Sequence, residues 1–180
     1  MSFFQDVLNG VRDAIAPGIG GKTLVYPISG ATIAAQAAAY TAGDTLGTGN
    51  PVKIEVFTKN NGTGILQSIV LADLAEQNGI VDVIVFNANP SATTFTDQAE
   101  LDIADADIDK IICTRSILAA EYVSFADSSV ATHTGIGVPI KNNVAASSTD
   151  KMHIWVAFIA REAKTYVANG ISANIGILQD

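Results

Sequence analysis

Acidic side chains form the densest group of residues in the sequence that could do chemistry. Residues 97–109 contain six carboxylates and no lysine or arginine, so they carry most of a formal net charge of −8. Three aspartates at alternate positions have the spacing of oxygen ligands in a calcium loop. The EF-hand pattern then fails, because Lys110 replaces its glycine and Ser116 its glutamate. The six acidic residues are Asp97, Glu100, Asp102, Asp105, Asp107 and Asp109.

The competing interpretation of this segment is an acidic loop in water that precedes a strand. Asp97 and Glu100 favour the N-terminus of a helical turn, where the helix dipole attracts negative charge. The remaining aspartates suit a loop and keep it soluble. We therefore expect an exposed acidic loop and no metal or cofactor site, with cation binding by the loop left open.

The histidines and the single cysteine form no recognisable catalytic motif. His133 and His153 are twenty residues apart, and neither has a second histidine at metal-binding spacing. We expect His133 in a loop and His153 at the beginning of an apolar strand. Cys113 lies in an apolar run, which is typical of a small buried core residue. A Ser–His–Asp triad can assemble from distant residues, but no G-x-S-x-G elbow is present, and we expect no enzymatic activity.

Aromatic residues do not form an obvious platform for sugars or bases. Trp155 alternates within an apolar run and is predicted to be a core residue. Tyr40, Tyr122 and Tyr166 are expected at strand ends or edges, where the hydroxyl group commonly contacts water.

The composition restricts the class of protein that these residues can belong to. The chain has 180 residues and a mass of 18.7 kDa, with 48% hydrophobic residues and only 16% charged ones. This length suits one domain, or at most two small ones. An excess of acids disfavours direct binding to nucleic acid or to an anionic membrane. The apolar content excludes a disordered chain, and the mean hydropathy of +0.32 is unusual for a dispersed cytosolic protein.

The first twenty residues are predicted to form a helical arm. Apolar residues recur at spacings of three and four, and Pro17 and Gly18 end the pattern. The stripe is either an anchor on a partner surface or a cover for one end of the chain's own core. No signal peptide or membrane-spanning segment is expected. The candidate anchor residues are Phe3, Phe4, Val7, Leu8 and Val11.

The remaining residues, 21–180, have the pattern of a single β domain. Residues 52–58 alternate between apolar and polar positions, and short glycine-containing links to the next two strands suggest an antiparallel meander. Pro139 favours an edge or a bulge, and residues 165–178 suggest a closing hairpin. Residues 31–40 fit helix or strand, and we favour strand. The other predicted strands cover residues 65–74, 80–86, 111–120, 122–126, 136–144 and 152–160.

About eight to ten such strands at short, regular spacing predict a mainly β fold. We expect an antiparallel β-sandwich, jelly-roll-like or barrel-like, with the short N-terminal amphipathic helix as an appendage. No internal repeat and no long linker divides the chain.

Several stretches together resemble a group of small virion proteins of tailed bacteriophages. They comprise residues 40–47, 64–73, 85–91, 95–97, 155–161 and 176–178. This resemblance extends from about Tyr40 to the C-terminus, and its motifs are structural rather than catalytic.

The resemblance implies a capsid decoration or auxiliary protein that binds the major capsid protein or another virion protein. It also implies a location on the capsid surface after synthesis in the host cytoplasm. A homo-oligomer is expected, with a trimer favoured by analogy with other decoration proteins. The rival hypotheses are a carbohydrate- or receptor-binding module of a head fibre or tail, and a hydrolase on a β scaffold.

Overall fold

Apolar residues in eleven segments alternate or cluster as strands require, and these segments pair into three sheets. The computed structural model describes residues 22–57, 63–141 and 153–179. The strands are β1 (Lys22–Ile28), β2 (Ala39–Tyr40), β3 (Val52–Glu55), β4 (Thr63–Asp73), β5 (Val81–Phe86), β6 (Ile111–Ile117), β7 (Tyr122–Phe125), β8 (Ser128–Lys141), β9 (His153–Ala160), β10 (Lys164–Thr165) and β11 (Ile171–Gln179).

Two large sheets form the body of the fold. The five-stranded sheet has the order β1-β11-β4-β8-β7, and the four-stranded sheet has the order β3-β9-β5-β6. Every pairing between these strands is antiparallel. The short strands β2 and β10 pair with each other beside them. This arrangement confirms the predicted class, a mainly β, antiparallel sandwich.

The main core lies between the two large sheets. It is lined by alternate residues of β4 and β11, such as Ile69 and Ile175, and by Val83 and Phe158 of the opposite sheet. Because successive side chains of a strand point to opposite faces, each of these strands also presents a second face. The strand β9 is central and almost wholly buried, as its continuous apolar run predicts.

The predicted meander is wrong. The strands β3 and β5 both pair with β9, whereas β4 lies between β11 and β8 in the other sheet. The links around β4 therefore cross from one sheet to the other and do not form hairpins. Asn78, in the second link, adopts the positive φ of 52° that its Asn-Gly sequence favours.

The predicted closing hairpin and the assignment of residues 31–40 are also wrong. The strand β10 pairs with β2 and not with β11, although Asn169 does form a turn with φ of 56°. Residues 31–40 form neither a long strand nor a long helix. One helical turn, Gly30–Ile33, is capped by Ser29 and ends at Ala34 in a left-handed conformation.

Pro139 occupies the kind of place that its chemistry requires. It lies opposite Ile65 of β4, and β7 pairs only with residues 128–131 of β8. In the described chain, the part of β8 that contains Pro139 thus has no neighbour on the side of β7. The missing N–H of Pro139 is tolerated at such an edge. The register shifts nearby, and Gly135 and Gly137 have positive φ, so both the edge and the bulge are confirmed.

The other helices are short and cover single turns. They are the α-helical turn Asp105–Ile108 and the 3-10 turn Ala119–Glu121. Among the residues described, no helix has the length and apolar character needed to cross a membrane. The predicted N-terminal helix and most of the glycine-containing link that follows residues 52–58 lie outside the described residues.

Candidate functional site

The acidic segment belongs to a longer connection that covers the outside of the four-stranded sheet. Phe95, Leu101 and Ile103 of this connection pack on Phe86 and Trp155, forming a second apolar cluster. The rings of Phe86 and Phe95 meet edge to face with centroids 6.3 Å apart. Residues 87–110 therefore form a third layer of the molecule, with the four-stranded sheet between them and the main core.

Asp107 is buried, and the expectation that it is exposed is wrong. Its Oδ2 accepts hydrogen bonds from Thr93 N and Thr93 Oγ1, each at 2.7 Å, and from Ala92 N at 3.0 Å. Its Oδ1 forms an ion pair of 2.6 Å with Lys110 Nζ. Burial acts to raise the pKa of Asp107, but the bonds from Lys110 and Thr93 outweigh it and hold this pKa below its ordinary value. The carboxylate thus holds two parts of the connection together.

Asp97 is also a structural carboxylate and is only partly exposed. Its Oδ1 accepts hydrogen bonds from Tyr40 Oη at 2.8 Å and from Gly47 N at 2.7 Å. Burial of Tyr40, together with the charge of Asp97, raises the pKa of the Tyr40 phenol far above its ordinary value. The expectation of a water-exposed hydroxyl is wrong for Tyr40 and Tyr166, whose rings meet edge-on in the core at 5.7 Å.

The four other acidic residues are exposed, as the sequence predicts. Glu100, Asp102, Asp105 and Asp109 lie on the surface of the connection. Within the described ranges, no three His, Cys, Asp or Glu side chains are arranged to hold a metal ion. Asp107 turns inward to Thr93 and Lys110, so the alternate aspartates do not share one face as a calcium loop requires.

A second polar cluster joins the two sheets at one open side of the sandwich. His133 lies in β8, not in a loop as predicted, and its Nδ1 is 2.5 Å from Glu121 Oε1. Its Nε2 accepts a hydrogen bond of 2.7 Å from Arg115 Nε, which comes from β6 of the other sheet. Glu121 Oε2 accepts from Leu118 N at 2.6 Å and thereby caps the 3-10 turn.

Glu121 and His133 have the relative position of the carboxylate and base of a catalytic triad. In a triad, the second imidazole nitrogen accepts the proton of a serine hydroxyl. Here that nitrogen faces Arg115, so the pair braces the sheets and no nucleophile is activated by this contact. Burial acts to raise the pKa of Glu121, but the bonds from Leu118 and His133 and the charge of Arg115 hold it below its ordinary value.

An open depression of about 380 Å³ lies beside this cluster. It is lined by Thr114, Arg115, Ser116, Leu118, Glu121 and His133. Cys113 is adjacent in sequence but buried, as predicted, and burial raises the pKa of its thiol despite the charge of Arg115. A thiol in this state is a packing group and not a nucleophile.

The outer face of the five-stranded sheet is almost free of charge, with Lys141 at one end. Residues of this face alternate with buried residues such as Ile69, Leu71 and Ile175, and they therefore point away from the core. Val25, Val123 and Phe125 on it are 62%, 59% and 58% exposed. The outward residues are Thr23, Val25, Pro27, Thr63, Ile65, Ser68, Val70, Ala72, Val123, Phe125, Ser128, Val130, Thr132, Thr134, Pro139, Lys141, Ser172, Asn174, Gly176 and Leu178.

The charged and uncharged surfaces lie on opposite sides of the molecule. Moving outward from the main core, the four-stranded sheet is followed by the connection with its exposed acids, such as Asp102 and Asp105. In the other direction, the five-stranded sheet ends at its outer face, which has no outward acidic residue and only Lys141 as a charge. The structure thereby separates the acidic segment from the apolar surface by the full thickness of the sandwich.

The structure does not test the candidate anchor residues. Phe3, Phe4, Val7, Leu8 and Val11 lie outside the described residues, and their role stays a prediction. The outer face of the five-stranded sheet is a further feature that the residues alone do not predict. The alternation of β4 and β11 contains the signal for it, but only the pairing of all five strands shows that the uncharged positions form one surface.

Comparisons with known proteins give weak similarities. No protein-family model and no curated protein sequence matches the chain. Two structures of infectious bursal disease virus, the Gx strain and the T13 viral particle, align at 12% and 10% identity with TM-scores of 0.30 and 0.31. They cover 88% and 89% of this chain, which spans about a third (32%) of theirs.

A structure of Israeli acute paralysis virus, heated to 63 degrees, aligns at 8% identity with a TM-score of 0.29. The alignment covers 89% of this chain and 68% of the viral chain. All three structures are of viral particles or strains, and TM-scores of this size do not establish a common fold.

Proposed function

We propose that this chain is a structural protein of a tailed-phage virion, a decoration or auxiliary protein that binds the lattice of the major capsid protein. It has no catalytic role and works as a homo-oligomer at the capsid surface. The trimer that analogy favours is one such oligomer. The observation that carries the proposal is the separation of a sheet face that is almost free of charge from an acidic layer.

This separation supports a protein that works inside an assembly. A surface of a freely dispersed protein normally mixes charges of both signs, which prevents association. The outer face of the five-stranded sheet has only Lys141 at one end, and exposed Val25, Val123 and Phe125 lie on it. A neighbour that covers this face removes apolar surface from water, at about 25 cal/mol per Å². The acidic layer then faces water and repels other particles.

The sequence stretches that resemble tailed-phage virion proteins support the same proposal from a second direction. In the structure, these stretches include buried strand segments around Ile69, Val85 and Phe158 and the turn at Gly47. Their roles are packing and chain reversal. A protein that is selected for shape and contact, and not for a reaction, needs residues of this kind.

The alternative function is binding of a carbohydrate or receptor by a head fibre or tail module. The depression beside Arg115, Glu121 and His133 favours it, because charged and hydroxyl groups there match sugar hydroxyls. Tyr166 is buried and Tyr122 largely so, so neither supplies the exposed ring on which a sugar stacks. Glycan-array binding that is lost in Arg115→Ala would favour this function over capsid binding.

Co-sedimentation with shells tests the capsid proposal. We expect the purified protein to pellet with shells of the phage that encodes it, and to saturate at a fixed ratio to the capsid protein. Virions of that phage should contain the protein by mass spectrometry. Purified virions that lack it would contradict the proposal.

Substitutions in the N-terminal apolar stripe test whether this stripe anchors the protein to the shell. Phe4→Ser with Leu8→Ser should weaken shell binding by about 100-fold, because two apolar side chains lose their buried surface. The matched control is Asp6→Asn, on the opposite side of the same predicted helix. Unchanged binding in the double variant, with the fold intact, would show that the stripe is part of the chain's own core.

A further inference from the structure

We infer that the outer face of the five-stranded sheet is a self-association surface, which pairs with the same face of a second copy about a two-fold axis. Pairing of this kind is independent of the proposed function, because it concerns the purified chain in the absence of any shell. It specifies a two-fold pair, where analogy with decoration proteins favours a trimer.

Charge selects a second copy as the occupant. The chain carries a net charge of −8, so two copies repel each other in most orientations. When the outer faces meet, the charged residue Lys141 lies at the end of the face away from Val123, and the two acidic layers lie on the far sides of the pair. A charged partner would find only Lys141 to attract it, since the other outward residues are not ionised.

The shape of the face supplies a matching ridge and depression. Val123 and Phe125 form a ridge on the edge strand β7, and both are more than half exposed. On the opposite edge, beside β1, there is an open depression of about 380 Å³. Its lining consists of Pro27, Ile28, Ser29, Thr32, Ser172, Ala173 and Asn174.

The strand register places the ridge and the depression at the same end of the sheet. Val123 is in register with Val130, which lies opposite Ala72, and Ala72 lies opposite Ser172 at the depression. A two-fold axis parallel to the strands exchanges the two edges and keeps position along the strands. It therefore seats each ridge in the depression of the other copy, so that the contact is made twice.

The area of the face is sufficient for a pair of modest affinity. Five strands at about 4.8 Å spacing and about six residues long present roughly 500 Å² per copy. The pair would bury about 1,000 Å², which is near the lower limit for specific interfaces. We therefore expect a dissociation constant in the micromolar range, of about 1–100 µM.

Light scattering and sedimentation equilibrium test this pairing across a concentration series. The wild-type chain should approach twice its 18.7 kDa mass as concentration rises. Phe125→Lys in the ridge and Thr132→Lys at the exposed centre should each weaken the pair by at least about 100-fold, since each charge is desolvated twice. The matched control is Ile108→Lys, also an exposed apolar residue but on the acidic layer, which should leave the dissociation constant unchanged.

A compensating variant distinguishes the specific contact from a general loss of solubility or folding. In Val123→Lys with Ser172→Asp, the new lysine of each copy lies at the same level along the strands as the new aspartate of the other, and pairing should recover in part. Circular dichroism should show that each variant keeps the β signal of the wild type. A wild-type monomer, a trimer, or an oligomer that ignores Phe125→Lys and Thr132→Lys would overturn the inference. A monomer that pairs only after residues 1–16 are deleted would show that the N-terminal segment is the occupant instead.

Discussion

Asp107 illustrates how a carboxylate in an acidic sequence becomes a structural group. Two of its partners, Thr93 and Ala92, lie about fifteen residues upstream, and the ion pair with Lys110 neutralises its charge. A buried carboxylate is tolerated only when it is paired and hydrogen-bonded. Asp107 meets this condition, and its removal should loosen the layer that covers the four-stranded sheet.

We predict that Asp107→Asn destabilises the protein by about 1–3 kcal/mol at pH 7, because Lys110 loses its ion pair and one donor is left facing another. The folded-state pKa of Asp107 is lowered. Its stabilising contribution is therefore complete above about pH 5 and is lost as the pH falls through about 4 and below.

Urea unfolding at pH 7 and at pH 3 measures both effects. The difference in the free energy of unfolding between wild type and Asp107→Asn should be smaller at pH 3 than at pH 7. The control is Asp105→Asn, two residues away and exposed, which should change the midpoint little at either pH. An equal loss of stability in the two variants would contradict the structural role assigned to Asp107.

At the scale of elements, close backbone approach decides where the links between sheets can run. Gly47 has φ of +95°, and a Cβ atom there would lie 2.1 Å from Ile33 O. The amide of Gly47 also donates to Asp97, so this turn connects the acidic layer to the helical turn Gly30–Ile33. Gly135 has a similar φ of +71° in the bulge of β8, but nothing lies within 4 Å of its Cβ position.

We predict that Gly47→Ala destabilises the protein by more than about 3 kcal/mol, because the backbone strain is added to a steric clash. Gly135→Ala is the matched control and should cost only about 1–2 kcal/mol, since it meets the strain alone. Thermal unfolding of both variants measures the difference. Equal losses of stability in the two variants would mean that the backbone at Gly47 shifts to accommodate the added methyl group.

At the scale of the whole molecule, the excess of negative charge in residues 97–109 lies on one side of the sandwich. Asp102, Asp105 and Asp109 are exposed on the acidic layer, and no structural contact depends on them in the way that one depends on Asp107. Their charge therefore serves repulsion between molecules and contributes little to folding. The opposite face carries the apolar surface that association would bury.

We predict that the triple variant Asp102→Asn, Asp105→Asn, Asp109→Asn keeps the free energy of unfolding within about 0.5 kcal/mol of that of wild type. It should be less soluble near neutral pH, because three repelling charges are lost. Static light scattering at low and high salt measures the interaction between molecules. The difference from wild type should shrink in high salt, which screens the remaining charges; a difference that persists would point to a local structural effect.

The residues by themselves determine the class of fold. Alternation in residues 52–56, the apolar run of β9 and the turn residues at Asn78 and Asn169 predict a mainly β protein, and the structure confirms it. These signals are local, since a strand needs only a side-chain period of two and a turn needs only permissive residues. The acidic composition of residues 97–109 is equally visible without a structure.

Only the tertiary structure decides which strand pairs with which, and therefore which surfaces exist. The links on either side of β4 resemble hairpins in sequence, but they cross between sheets because β9 and β11, from the far end of the chain, take the places beside β3, β4 and β5. Burial of Asp107 depends in the same way on its contact with Thr93. The outer face depends on the pairing of five strands that come from the beginning, the middle and the end of the described chain. Such contacts are set by packing between distant segments, which no local period of the sequence encodes.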